Sequence, residues 1–365
     1  MKRIFVSLIS LLFAIQIVFA LNPPTKPDED MWVPVWIEEL NYPDMVRLGL
    51  KLKADEVYSN TNPSIKDAIV GLGTNNYKPN LGFFCSGVVV SPQGLVFTNH
   101  HCGYNAVQQV STLENDYLTN GFWATKLSEE IPIDEMTMSF VVRIEDVTGR
   151  VLKNVNDSMS LSDRDKAISK AIKEIENEAS EKGKYDVVVK PIFEGNEYYL
   201  HVYETYKDIR LVGAPPSAIG KFGGDTDNWM WPRHTGDFAI FRIYTAPDGS
   251  PAEYSDKNIP LKPKKYLPVS IKGVEKDDFS MIFGFPGSTH RYITSQGVDQ
   301  AINQNNPLIV KIRDKKLSIM RSYMDQDPKI KLQYSSKYAQ TSNYWKYFIG
   351  QTKGLKRWDV YDRKK

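Results

Sequence analysis

Cysteine is nearly absent: the 365 residues hold only Cys85 and Cys102. No Cys-x-x-Cys pair and no His-Glu-x-x-His run occurs, which removes the usual ligand spacings for zinc. An excess of one charge is also missing. Lysine and arginine number 46 against 44 aspartate and glutamate, for a net charge of +2, which argues against nucleic acid as a partner. After residue 20 no apolar run is long enough to span a bilayer. There is no internal repeat and no low-complexity tract, which excludes a repeat array. No Gly-x-Ser-Gly turn occurs either, so the chain lacks the surround a nucleophilic serine needs to have backbone amides as an oxyanion hole.

The N-terminus indicates the compartment. Lys2 and Arg3 precede an apolar stretch, Ile4 to Phe19, too short to span, and Val18-Phe19-Ala20 reads as a cleavage signal. A signal peptide over 1–20 is the expectation, with a membrane anchor as the alternative. About 345 residues would remain, enough for two domains. Export predicts that Cys85 and Cys102 form a disulfide rather than two buried thiols. Closing that loop is worth roughly 3 kcal/mol in the chain-entropy model.

Residues 21–80 read as a lead-in of helix and loop. Asn62-Pro63-Ser64 opens a short capped helix, and Lys78 to Gly82 forms a loop. Residues 83–102 read as a hairpin around the turn Ser91-Pro92-Gln93-Gly94. Residues 161–182 carry Ile168, Ile172 and Ile175 at helical spacing, with Gly183 as a stop. Strand-like runs follow at 186–193, 198–203, 209–212, 237–244, 266–271 and 279–283. Short strands between turn residues predict an antiparallel barrel or sandwich. The 20 tyrosines and 7 tryptophans suit a β-rich protein with a substrate cleft. From about residue 290 the pattern becomes helical, with Leu308, Ile312, Ile319 and Tyr323 in helical register.

The chemistry gathers around Thr98-Asn99-His100-His101-Cys102. If the strand continues, consecutive side chains point to opposite faces, so only one histidine can serve a site. With Cys102 tied back to Cys85, the residue just before it is presented at the loop edge. His101 is then the base and His100 its structural neighbour. A zinc site built from these adjacent residues is a poor alternative. A base of this kind needs an orienting carboxylate. Asp237, opening the apolar strand Phe238-Ala239-Ile240-Phe241, is the candidate, with Asp225 and Asp227 as rivals. Those two sit in a glycine-rich loop that also raises calcium, although the EF-hand pattern is not completed. For the nucleophile, Ser86 and Ser288 are the local options and neither has the required surround.

These segments resemble the bacterial family of exported serine dipeptidyl-peptidases of the dipeptidyl-peptidase 7 and 11 type. The resemblance is carried by Ser91-Pro92-Gln93-Gly94-Leu95, residues 98–104, residues 221–244 with Asn228-Trp229-Met230-Trp231-Pro232-Arg233-His234, residues 284–289 and residues 336–345. It runs from about Met31 to the last residue.

It implies a mainly β fold with added helix: a chymotrypsin-like antiparallel barrel, incomplete as a double barrel, over 21–289, and the start of a helical insert over 290–365. It implies His101 as base and Asp237 as orienting acid. Asn228, Trp229 and Asn343 would hold the free N-terminus of an oligopeptide substrate, and no cofactor is called for. An ammonium group offers only donors, so its site must supply acceptors. The family setting is the periplasm or surface of a Gram-negative bacterium, and the resemblance leaves room for a homodimer in the complete enzyme.

Two departures stand out. The run Gly71 to Lys78 is longer than the family's approach to the first cysteine. The family's serine lies after the insert, so this chain by itself is expected not to hydrolyse peptides. The alternatives are a chymotrypsin-like endopeptidase using Ser288 and an inactive peptide-binding module.

Overall fold

A computed structural model describes residues 32–74, 82–288, 290 and 292–365. The expected signal peptide and most of the expected Lys78 to Gly82 loop lie outside the described residues. Among the described residues, eleven strands form one antiparallel sheet. They are β1 (Ile69–Thr74), β2 (Cys85–Val89), β3 (Leu95–Thr98), β4 (Phe122–Trp123), β5 (Ile131–Pro132), β6 (Met136–Asp146), β7 (Asp186–Ile192), β8 (Glu197–Tyr206), β9 (Asp208–Ala214), β10 (Ala239–Thr245) and β11 (Ile259–Pro260). The hydrogen-bonded path runs β4-β9-β10-β3-β2-β1-β6-β8-β7 and stays open.

Period-two burial explains why the sheet curls. In β10, Ala239, Phe241 and Ile243 are fully buried while Ile240 and Arg242 are half-buried. Val70 and Leu72 of β1, Val89 of β2, Val96 of β3, Met136 and Met138 of β6, and Ile209 and Leu211 of β9 meet them in one cluster. Six strands thus wrap a single core, as in a barrel wall. Each fully buried large side chain there contributes about 1.5–3 kcal/mol. Helix α1 (His100–Gln109) packs on this core through Cys102, Ala106 and Val107. Gly103 lets it approach, since a Cβ there would sit 3.0 Å from Ala239 Cβ.

A second core joins β7 and β8 to helix α2 (Leu161–Ala179). Ile175 is buried there, and Ile168 and Ile172 pack beside it, as their spacing predicts. Ser160 caps α2 by accepting the Asp163 N–H at 3.2 Å. Helices α3 (Asn306–Met324) and α4 (Pro328–Arg357) form a hairpin sealed by Leu317, Met320 and Met324 against Ile330, Tyr338 and Trp345. Asp327 caps α4 by accepting the Lys329 and Ile330 N–H groups. Among the described residues, no helix is long and apolar enough to cross a membrane.

Three readings change, and one, the helical register of Leu308 to Tyr323, is borne out with a different row buried. The runs at 266–271 and 279–283 form no strands. Strand structure needs a partner ladder, and here Leu267 N–H reaches Val89 O at 2.9 Å without extending into one. Leu308, Ile312, Ile319 and Tyr323 are helical but exposed, and α3 buries the row Leu317, Met320 and Met324 instead. Second, the chain after Thr98 turns into a helix, so His100 and His101 diverge on a helical turn and not across a strand. Third, β1 and β6 emerge where no strand is read. Gly71 and Gly73 weaken the signal in β1, and β6 buries Met136, Thr137, Met138 and Ser139 in succession, which erases alternation.

Candidate active site

Two hydrogen-bonded centres lie on the chain, one around His101 and one around Asn343. His101 is the second residue of α1, where backbone N–H groups have no partner within the helix. Asn99 precedes the helix but provides no side-chain cap. The His101 N–H is instead taken by Asp237 Oδ1, at 3.0 Å. The other carboxylate oxygen, Oδ2, lies 2.7 Å from His101 Nδ1. Asn99 Nδ2 donates to the same Oδ2 and to the Asp237 carbonyl, each at 3.3 Å. Burial would raise the Asp237 pKa, but the hydrogen bonds and positive charge of His101 outweigh it and hold the carboxyl below its usual range.

The pairing fixes the imidazole with Nδ1 toward the acid, while the His101 side chain remains about two-thirds exposed. A base with one nitrogen tied to carboxylate and the rest of its ring open to solvent can accept a proton from an incoming group. Asp225 and Asp227 make no contact with His101 among the described hydrogen bonds. Behind the pair, the Cys85–Cys102 disulfide links β2 to α1 with a Cα separation of 6.0 Å. His101 lies close to both sulfurs, which are bonded to each other and so offer no thiolate to a metal.

His100 takes the opposite environment. It is 1% exposed and its ring meets Tyr104 edge-on. Gly220 lies flat against it: a Cβ there would come within 2.4 Å of the ring. Burial pushes its pKa down to about 4, although the Asp237 charge opposes this.

The second centre joins the loop after Gly223 to α4. Gly223 has φ +81°, and a Cβ there would strike the Asp227 carboxylate at 2.0 Å, so only glycine fits. Asn228 Nδ2 donates to Asn343 Oδ1 at 2.9 Å. Trp229 Nε1 donates to the same oxygen at 3.0 Å and to the Asn343 carbonyl at 3.2 Å. Lys346 Nζ donates to the carbonyls of Asp225 and Thr226, and the Trp229 and Tyr347 rings lie 5.1 Å apart. Of the three residues the resemblance implies for the substrate amine, Asn228 and Trp229 therefore both bond to Asn343. Lys346 and Tyr347 were missed, although their spacing of three and four from Asn343 puts them on its helix face. Asn99 was missed as well; its place directly before the two histidines was the available signal.

Neither serine offered as a local nucleophile, Ser86 or Ser288, bonds to His101 among the described residues. Ser86 Oγ accepts the Phe285 N–H at 2.7 Å, a structural bond. Ser288 makes no hydrogen bond among the described residues.

The model of the family described as Peptidase S46 matches residues 27–365. The chain belongs to this family. An S46 relative, dipeptidyl-peptidase 7 of Capnocytophaga gingivalis, is 46% identical over 357 residues, covering 97% of this chain and 49% of its own length. An Asp/Glu-specific dipeptidyl-peptidase of the same organism is 48% identical over 327 residues, covering 90% and 45%. The crystal structure of Porphyromonas endodontalis DPP11 in complex with the dipeptide Arg-Asp superposes with a TM-score of 0.83 at 37% identity, covering 92% of this chain and 47% of the other. The chain thus spans about half the length of the curated S46 relatives it matches. Relatives of both names are nearly equally similar, so identity does not select a specificity.

Proposed function

We propose that this chain carries the base and the substrate-amine site of a serine-type dipeptidyl-peptidase that releases N-terminal dipeptides from oligopeptides. The observation that carries the reading is the two-point bond between Asp237 and His101. In the reaction, His101 takes the proton of an attacking serine hydroxyl and returns it to the leaving amine. Asp237 holds the ring and offsets the imidazolium charge. The serine belongs to a part of the protein not spanned here. Asn228 supplies an acceptor oxygen for the substrate ammonium, Asn343 holds Asn228 and Trp229 in place, and Trp229 walls the site. The dipeptide bound to DPP11 of P. endodontalis supports peptide recognition of this kind. Export to the periplasm or cell surface is part of the proposal, supported by the N-terminal signal pattern and the disulfide.

The test uses a protein extended to the length of its relatives. It should release dipeptides from a free oligopeptide, leave the N-acetylated peptide intact, and lose dipeptide release with His101→Ala. Retained activity in that variant refutes the base assignment, and cleavage of the blocked peptide favours an endopeptidase.

A further inference from the structure

Asn343, Lys346 and Tyr347 lie on one face of α4, at positions i, i+3 and i+4. All three contact residues 225–229. Asn343 bonds Asn228 and Trp229, Tyr347 packs on the Trp229 ring, and Lys346 holds the carbonyls of Asp225 and Thr226. This loop is not at rest by itself. Trp229 has φ +57°, a left-handed conformation that a bulky side chain adopts only when its surroundings impose it.

Lys346 is the only one of the three whose contacts are all with backbone. Its ammonium takes two successive carbonyls at the end of the helical turn Gly224–Asp227, where such oxygens lack helical partners. It therefore sets where the chain leaves that turn, and Asn228 and Trp229 are the next residues.

We propose that Lys346 is a positioning residue for recognition of the substrate's free N-terminus. By bonding the Asp225 and Thr226 carbonyls it fixes the strained backbone at Trp229 and the orientation of Asn228. The inference rests on the amine-site reading above. Asn228 uses its Nδ2 on Asn343, and among the described residues its Oδ1 makes no hydrogen bond. That oxygen is the acceptor a substrate ammonium would find, and its direction depends on the backbone Lys346 holds. Lys346 also brings a positive charge to the neighbourhood, which by Coulomb repulsion alone would weaken ammonium binding. Geometry and charge thus predict opposite effects of removing it.

The experiment uses a protein extended to the length of its relatives, carrying His101→Ala so that peptides are bound and not cleaved, and compares it with its Lys346→Met and Lys346→Arg variants. Calorimetry measures binding of an alanine tetrapeptide with a free N-terminus and of its N-acetyl counterpart. Hydrogen exchange reports on residues 223–229. The parent protein should prefer the free peptide by about tenfold or more. Lys346→Met should bring that ratio near one and speed exchange in the loop, with the melting temperature little changed. Lys346→Arg, which can still donate to both carbonyls, should keep most of the preference. If Lys346→Met keeps the preference, or binds the free peptide more tightly, the positioning role is overturned while the amine site stands. If the parent protein shows no preference, the amine-site reading fails and the role of Lys346 falls with it.

Discussion

Asp237 holds His101 at two points, the backbone N–H through Oδ1 at 3.0 Å and the ring Nδ1 through Oδ2 at 2.7 Å. One carboxylate caps the first turn of α1 and orients the imidazole that the same turn presents. The helix N-terminus favours negative charge there, so the two roles reinforce each other.

Replacing Asp237 should therefore register in both stability and chemistry. Asp237→Ala should lower unfolding free energy by about 1–2 kcal/mol, as loss of a helix cap does, measured by urea titration. In a full-length enzyme Asp237→Asn should cut kcat by about 10⁴-fold, because an amide no longer enforces the productive tautomer. An Asp237→Asn enzyme with near-normal kcat would remove the acid from the mechanism.

Acid should destabilise the chain through His100. The unfolded chain protonates this histidine near its ordinary value of 6.5, and the folded chain resists until about pH 4. Across that window the unfolded state binds more protons, so stability rises with pH and is lost as pH falls. The contribution is on the order of 3 kcal/mol between pH 7 and pH 4. His201, also held down to about 4 mainly by burial, adds in the same direction. Asp237 extends the loss further into acid. His100→Gln should flatten the dependence of the urea midpoint on pH between 4.5 and 7 without abolishing it. An unchanged slope would show that His100 is not neutral in the fold.

Reducing the Cys85–Cys102 bond should cost roughly 3 kcal/mol. Because the bond ties α1 to β2, the loss should come with faster exchange at the start of α1. Thermal melts of the Cys85→Ser, Cys102→Ser double variant, with and without dithiothreitol, check it: the reductant should shift only the parent chain.

Gln108 makes a further anchor. Its Nε2 donates to Gln333 O at 2.8 Å and its Oε1 accepts the Ser336 N–H at 2.9 Å, so one side chain of α1 enters the backbone ladder of α4. Gln108→Leu should cost about 1 kcal/mol, the net worth of hydrogen bonds that are exposed or half-buried. Hydrogen exchange should rise around residues 333–336 and remain unchanged in β10. Equal protection in both regions would show that the contact does not hold α4.

Much of the fold was legible because burial follows simple periods. The strand β10 and helix α2 each bury one face, and the pattern marks them; β8 and β9 are buried on both faces and are marked instead by their tyrosines, valines and isoleucine between turn residues. The strand β6 was not, because consecutive Met, Thr, Met and Ser are all buried and Ser139 satisfies its hydroxyl only through Thr205, at 2.8 Å. The runs at 266–283 show the converse: alternation without a partner is not a strand. At the site, His101 was reached through the wrong local geometry. The strand argument separated it from His100, whereas a helical turn and the packing of Gly220 do so. Lys346 was missed because its partners are backbone carbonyls, so its helical spacing from Asn343 was the one mark it left.

Those unpaired runs bear on how the protein behaves in a tube. Ile271 and Ile282 are fully exposed, Val274 and Tyr292 nearly so, and Val269 is more than half exposed. Apolar extended backbone with free amides is sticky toward copies of itself. Light scattering of the isolated chain should show self-association that grows with concentration. Dilute samples, or a covering polypeptide supplied in trans, then become the condition under which every measurement above reports on a single molecule.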